Sequence, residues 1–231
     1  SMVGAIAGAS VAGKVLYRCS AGGTFHYSMK KGFSMFGASG QLLSEFRTFG
    51  VFDAYLSCFA DQPHRVTKMD IAHDVFAYAP PILYALSERY KKGNISLTRK
   101  RLKPSQCHWE QHTDEQGADS GTVYLGKRTS EVYARVYDKS KERRDKGFDC
   151  EGDITRFELT ATSKVGISLA DAQSPEALFW NFMHDVLKRP VGVDAWTPEA
   201  EGFQMSPGQL DYLPAQLLKQ RVADSPEIGQ L

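Results

Sequence analysis

The stretch E-V-Y-A-R-V-Y-D-K at residues 131–139 constrains this chain more than any other, because its side chains alternate with a period of two. Val132, Ala134 and Val136 are small and apolar, while Tyr133, Arg135, Tyr137 and Lys139 occupy the alternate positions. A helix would scatter these residues around its axis, whereas a strand sorts them onto two faces. The pattern predicts a strand with one packed face and one solvent-facing stripe of two phenols interleaved with two cations. Residues 66–76 repeat the logic, with Met69, Ile71 and Val75 on one side and Lys68, Asp70, Ala72 and Asp74 on the other. So do residues 153–160, where Phe157 and Leu159 face inward and Arg156 and Glu158 outward.

The remaining chain reads as a mixture of strands and helices. Alternating stretches at 15–19 and 25–29, broken by Gly22-Gly23, Gly32 and Gly37, predict short strands in a meander. Helical spacing of Leu43, Phe46, Phe49, Phe52, Tyr55, Leu56 and Phe59 predicts one or two helices over about 42–60, weakened at Gly50. Pro80-Pro81 precedes a helix over about 82–91 that Gly93 closes. Further strands are expected at 95–102, 107–112 and 122–126, and Pro175 opens a helix over 176–187. The expected class is α+β, mainly antiparallel sheet with helices packed on one face. Residues 1–189 are expected to form one domain and 190–231, rich in Pro, Gly, Gln and acids, a loosely packed tail with a short helix near 213–222.

Charge narrows the partner. The chain has a net charge of only +1, yet residues 1–150 hold 22 of its 28 lysines and arginines and only 15 of its 27 acids. Two clusters carry the excess: Arg89, Lys91, Lys92, Arg99, Lys100, Arg101 and Lys103, then Lys127, Arg128, Arg135, Lys139, Lys141, Arg143, Arg144 and Lys146. A polyanion is the expected partner, since each neutralised phosphate releases counterions. No apolar run approaches the roughly 18 to 20 residues that span a bilayer, and the Gly- and Ala-rich stretch at 3–15 has no basic residue before it. Cys19, Cys58, Cys107 and Cys150 lie too far apart for a C-x-x-C zinc site, so reduced thiols in a cytoplasmic protein are expected. Ser1-Met2 suggests that the natural chain extends upstream.

If the three alternating strands are neighbours, Asp70, Asp74 and Glu158 share the polar face with Tyr137. Carboxylate oxygens are hard ligands suited to a divalent cation, Mg²⁺ or Mn²⁺, that would polarise a phosphate. A phenol, with a reference pKa of about 10, needs such help to act as a nucleophile, and Lys139 on the same face is expected to assist. Tyr133 and Tyr137 both remain candidates on this reading. The bland alternative is a cross-strand stabilising ladder of Tyr and Arg. Two other motifs carry less. G-A-S-V-A-G-K at 8–14 lacks the hydroxyl of a phosphate-binding loop at Val15, and H-W-E-Q-H at 108–112 sits in an extended stretch with Glu110 misplaced for a metalloprotease. Strand alternation puts His108, Glu110 and His112 on one face, which leaves a weak metal role open.

The succession V-T-K-M-D-I-A-H-D, then G-T-V-Y-L-G-K-R-T-S-E-V-Y-A-R-V-Y-D-K-S-K-E, then T-R-F-E-L resembles the replication initiation factor family of filamentous phages and rolling-circle plasmids, over roughly residues 66–159. The resemblance implies site-specific nicking of one DNA strand, with a tyrosine joined to the 5′ phosphate and a free 3′ hydroxyl left for a polymerase. By position it implies Tyr137 as the nucleophile, Lys139 as the following cation, Glu142 as the acid of K-S-K-E, and Asp70 and Glu158 as the acids of M-D-I-A and R-F-E-L. It favours Tyr137 over Tyr133, which stands where plasmid members carry another aromatic. No H-x-H occurs, so a metal would rest on carboxylates (Asp70, Glu158, Asp74 and Glu142), with His73 as a packed residue of the other face. Lys127, Arg128, Arg135, Arg156, Arg99, Lys100 and Arg101 are the expected DNA contacts. Implied partners are origin DNA, single-stranded or supercoiled, and a host helicase and polymerase; a homodimer is left open. The alternatives are a non-catalytic DNA-binding or regulatory module of a phage and a conjugative relaxase.

Overall fold

The protein is seen in a computed structural model that describes residues 6–11, 14–18, 23–30, 33–97, 101–113 and 119–187. Arg99, Lys100, Cys19 and the expected tail at 190–231 lie outside the described residues. Contacts divide the chain into two units, Ser1–Arg65 and Val66–Leu231, so the boundary falls inside the stretch expected to be one domain. Helices and antiparallel sheets make up both, which gives the α+β class.

In the first unit β1 (Ile6–Val11), β2 (Lys14–Arg18), β3 (Thr24–Lys30) and β4 (Phe33–Ala38) pair in sequence order as an antiparallel meander. Two helices follow, α1 (Gly40–Thr48) and α2 (Phe52–Ala60). Ser39 caps α1 by accepting from the Leu42 amide, which satisfies one of the orphan donors of its first turn. Gly50, at φ 66°, is the break between the two helices, a conformation that costs glycine nothing.

The second unit is built on a five-stranded antiparallel sheet in the order β5-β9-β8-β7-β6. Its strands are β5 (Lys68–Val75), β6 (Cys107–Thr113), β7 (Asp119–Leu125), β8 (Val132–Asp138) and β9 (Thr155–Thr162). The three alternating segments of the sequence are thus neighbours, with β9 between β5 and β8. Of the expected strand at 95–102, residues 98–100 lie outside the described residues, and the described ones carry a bridge between Ser96 and Arg101. Ile95 and Leu97 are nonetheless fully buried, so their alternation reflects a packed connection rather than a ladder.

Helix α3 (Ala79–Lys91) packs across β7 and β8. Pro80 and Pro81 fall in its first turn, where the missing amides are orphans anyway, and Gly93 in the left-handed region ends it by donating to the Tyr90 carbonyl. Short α5 (Leu169–Gln173) leads to α6 (Glu176–Met183), which lies against β9. Beneath these helices Ile71, Val75, Val123, Leu125, Ala134, Val136, Phe157 and Leu159 form one core with Leu83, Phe179 and Met183. Burying each large side chain contributes about 1.5–3 kcal/mol. Asp185 ties the two helical ends together, accepting from the Ser96 amide at 2.7 Å and, through its carbonyl, from Arg89 at 2.7 Å.

One helix was not expected. After Asp138 the chain turns at once into α4 (Lys139–Asp145), where the sequence pattern extends the strand through Lys139. Asp138 is its N-cap, accepting from the Lys141 amide at 2.8 Å. The fully buried Ser140 fastens the turn to the entry of β9, donating to the Gly152 carbonyl and accepting from the Ile154 amide.

Candidate active face of the five-stranded sheet

The face away from α3 and α6 carries the polar positions of all five strands, and the register arranges them in rows. One row runs Asp70, Thr160, Tyr133; the next Ala72, Glu158, Arg135, Tyr124, His108; the third Asp74, Arg156, Tyr137, Thr122, Glu110. Tyr137 therefore has Arg156 directly across from it and Glu158 on the diagonal. Its hydroxyl donates to Glu158 Oε2 at 3.3 Å, and Arg135 donates to Glu158 Oε1 at 2.5 Å. Tyr133, two positions before Arg135, sits opposite Thr160 in the row of Asp70.

Each expected carboxylate has a partner. Arg156 grips Asp74 through Nε and Nη2, both at 2.5 Å, a two-pronged geometry that fixes the guanidinium. Burial works against the Arg156 charge, but the hydrogen bond and charge of Asp74 outweigh it and hold its pKa above the ordinary arginine value. Asp70 accepts from the Thr160 hydroxyl at 2.5 Å and from Lys68 at 2.9 Å. Glu142 is on α4, paired with Lys139 and Lys146; burial raises its pKa, yet the two lysines bring it below the usual carboxylate range. Lys139 is the first residue of α4 and pairs with Glu142, and its Nζ lies 5.9 Å from the centre of the Tyr137 ring.

The phenol of Tyr137 is held far above the ordinary tyrosine pKa, first by burial and then by the negative charge of Glu158, with Arg156 and Arg135 pulling the other way. The face as it stands keeps that proton on the oxygen and points it at a carboxylate.

Among the described residues no three His, Cys, Asp or Glu side chains gather as a metal cage. All four expected ligands are paired with cations, and of these Asp70 and Glu158 lie on adjacent strands and the same face. Two hard carboxylates suit Mg²⁺ or Mn²⁺ in the mode in which substrate phosphate and water complete the shell. His73 is on the opposite face, against Phe179 and Trp180, and burial lowers its pKa despite nearby Asp74.

The basic residues are spread around this face. Lys127 and Arg128 are exposed in the turn between β7 and β8, and the Arg128 guanidinium lies 5.5 Å from the Tyr124 ring centre. Arg101 is exposed at the far end of α3's trailing connection. Sequence reasoning missed Thr160 as the partner of Asp70, and Tyr124, whose ring stacks on His108 with centres 4.5 Å apart and planes 11° from parallel. The alternation of Thr122 and Tyr124 in T-V-Y-L was the available signal.

Comparison with known proteins gives this part of the chain a likeness to one family. The model of the replication initiation factor family matches residues 64–172. No curated protein matches the chain. Among solved structures, a rolling circle replication initiator protein from Geobacillus stearothermophilus is similar at 14% identity and a TM-score of 0.44, covering 83% of this chain and 76% of that one. The di-domain ARO/CYC StfQ from the steffimycin biosynthetic pathway is similar at 12% identity and a TM-score of 0.26, covering 75% and 72%. The family match runs from before β5 to beyond β9 and so includes every side chain of the polar face. Residues 64–172, a little under half of the chain, are thus similar to the replication initiation factor family.

Proposed function

We propose that the polar face is the active site of a DNA nickase and strand transferase that starts rolling-circle replication, with Tyr137 as the nucleophile. The observation that carries this reading is the hydrogen bond from the Tyr137 hydroxyl to Glu158 Oε2 at 3.3 Å, between two arginines. In the reaction Tyr137 Oη bonds to phosphorus, the bond from phosphorus to the 3′ oxygen breaks, and that oxygen takes a proton from solvent. Glu158 receives the phenol proton as the new bond forms, which offsets the high phenol pKa because the oxygen becomes acidic only in the transition state. Arg156, held by Asp74, and Lys139 supply positive charge for the phosphate oxygens. Asp70 and Glu158 would hold a divalent cation, Mg²⁺ or Mn²⁺, which when bound neutralises charge on the reacting phosphate. Because one phosphoester replaces another, the same tyrosine can later rejoin the ends. DNA is then the partner, with Lys127, Arg128, Arg135 and Arg101 available to its backbone.

Supercoiled origin DNA incubated with the protein and Mn²⁺ should yield nicked circles and a covalent protein–DNA adduct resolved under denaturing conditions. Tyr137→Phe should remove both, and Tyr133→Phe should keep both. An adduct that survives Tyr137→Phe but not Tyr133→Phe would move the nucleophile to the row of Asp70. Salt-sensitive binding with no adduct under any metal would leave a DNA-binding module instead.

A further inference from the structure

The H-W-E-Q-H stretch takes no part in the chemistry above, yet its first histidine is arranged in an unusual way. His108 on β6 and Tyr124 on β7 are cross-strand partners, and their rings stack face to face at 4.5 Å and 11°. Tyr124 is only 9% exposed, but the His108 side chain is 59% exposed. Since Tyr124 covers one face of the imidazole, what remains open is the outer face. Glu110, two residues along the same strand, has Oε1 3.6 Å from His108 Nε2, so the ring edge is engaged, and among the described residues the ring contact of His108 is with Tyr124. Gly121 lets β6 approach β7 this closely: a Cβ there would sit 2.0 Å from the Glu110 carbonyl oxygen, at a φ of 145°.

We infer that the outer face of His108, backed by Tyr124, which itself carries the Arg128 guanidinium over its ring, is a stacking site for an unpaired nucleobase of the DNA strand. The inference deepens the proposed reading of this sheet as a DNA-handling surface. An aromatic plane is recognised by any base, because every base has a π-face, and Lys127 and Arg128 in the adjoining turn offer charge to the phosphate beside it. His108 shares its row with Arg135 and Glu158, two strands over from β8, a separation of about 10 Å. A strand whose phosphate meets Tyr137 therefore brings a nearby base over the imidazole. Duplex DNA offers no such base, since its faces are already stacked within the helix.

The test uses the Tyr137→Phe protein, in which no adduct complicates binding, and a short single-stranded DNA of mixed sequence carrying 2-aminopurine at successive positions. His108→Ala should weaken single-strand binding about 5- to 150-fold at fixed salt and relieve the fluorescence quenching at one position. His108→Phe should restore both, and affinity for duplex of the same sequence should not change in either variant, which also controls for folding. Unchanged single-strand affinity in His108→Ala, failure of His108→Phe to rescue, or an equal loss on duplex would each overturn the stacking site. If nicking proves not to use Tyr137 while these results hold, the site stands and the catalytic reading alone falls.

Discussion

The two faces of the five-stranded sheet come from the same strands and differ in everything else. On the side of α3 and α6, Val123, Leu125, Ala134, Val136 and Leu159 have no exposed surface at all and Phe157 retains 1%. On the other side Arg156 is held by Asp74, Tyr137 by Glu158 and Thr160 by Asp70 through hydrogen bonds and ion pairs. One face obtains its stability from volume and dryness, the other its order from partnered charge. The lesson is that a period of two lets a strand carry both duties without compromise, because adjacent residues never share a face.

That division can be tested by breaking each side in turn. The largest effect should follow Phe157→Ala, which opens a cavity in the dry face and should cost about 3–5 kcal/mol in urea unfolding; a loss below 1 kcal/mol would show that the core does not rest on this ring. Asp74→Ala comes next. It leaves the half-buried Arg156 without its carboxylate and should cost about 1–3 kcal/mol, with nicking reduced further than stability explains if the guanidinium needs that grip to meet the phosphate. The smallest effect concerns Tyr137 alone. Its phenol pKa is raised in the fold, so the stability linked to the protonated form is fully present below the ordinary value of about 10 and is lost as pH rises through the higher folded value. Burial also raises the phenols of Tyr55 and Tyr90, so ultraviolet titration should show one tyrosine ionising later than both of these, and Tyr137→Phe should remove it and flatten the alkaline limb of the stability curve. If that late-titrating phenol persists in Tyr137→Phe, the electrostatics described for this face are wrong.

Most of the sheet was legible because alternation is a local signal: β5, β8 and β9 can be traced from Met69-x-Ile71, Val132-x-Ala134-x-Val136 and Phe157-x-Leu159 alone. What joins Asp74 to Arg156 is not local. It depends on the register between strands whose partners are 82 residues apart, and no pattern within either strand specifies it. For that reason the acids looked like a ligand set in the sequence, whereas the fold gives each of them a cation or a hydroxyl. Helix α4 was readable and was missed. Asp138 as a cap, Glu142 in the first turn, Arg143 and Arg144 in the last, and the spaced pairs Lys139–Glu142 and Glu142–Lys146 are all helix signals, overshadowed by the strand period that ends at Tyr137. In the segment at 95–102 the alternation of Ile95 and Leu97 reports burial, and the described residues there pair only through the Ser96–Arg101 bridge.

The strand order has a consequence for the life of the chain during synthesis. Among the described residues β9 is the last strand made and lies between β5 and β8, so this sheet cannot close until residues near Thr162 have left the ribosome. Pairings this distant are slow to form. A nascent or truncated chain that stops before β9 already carries Tyr137 but has neither Glu158 nor Arg156 beside it. On the proposed reading, a chain that stops before β9 therefore lacks the carboxylate and the guanidinium that its phenol would need for chemistry.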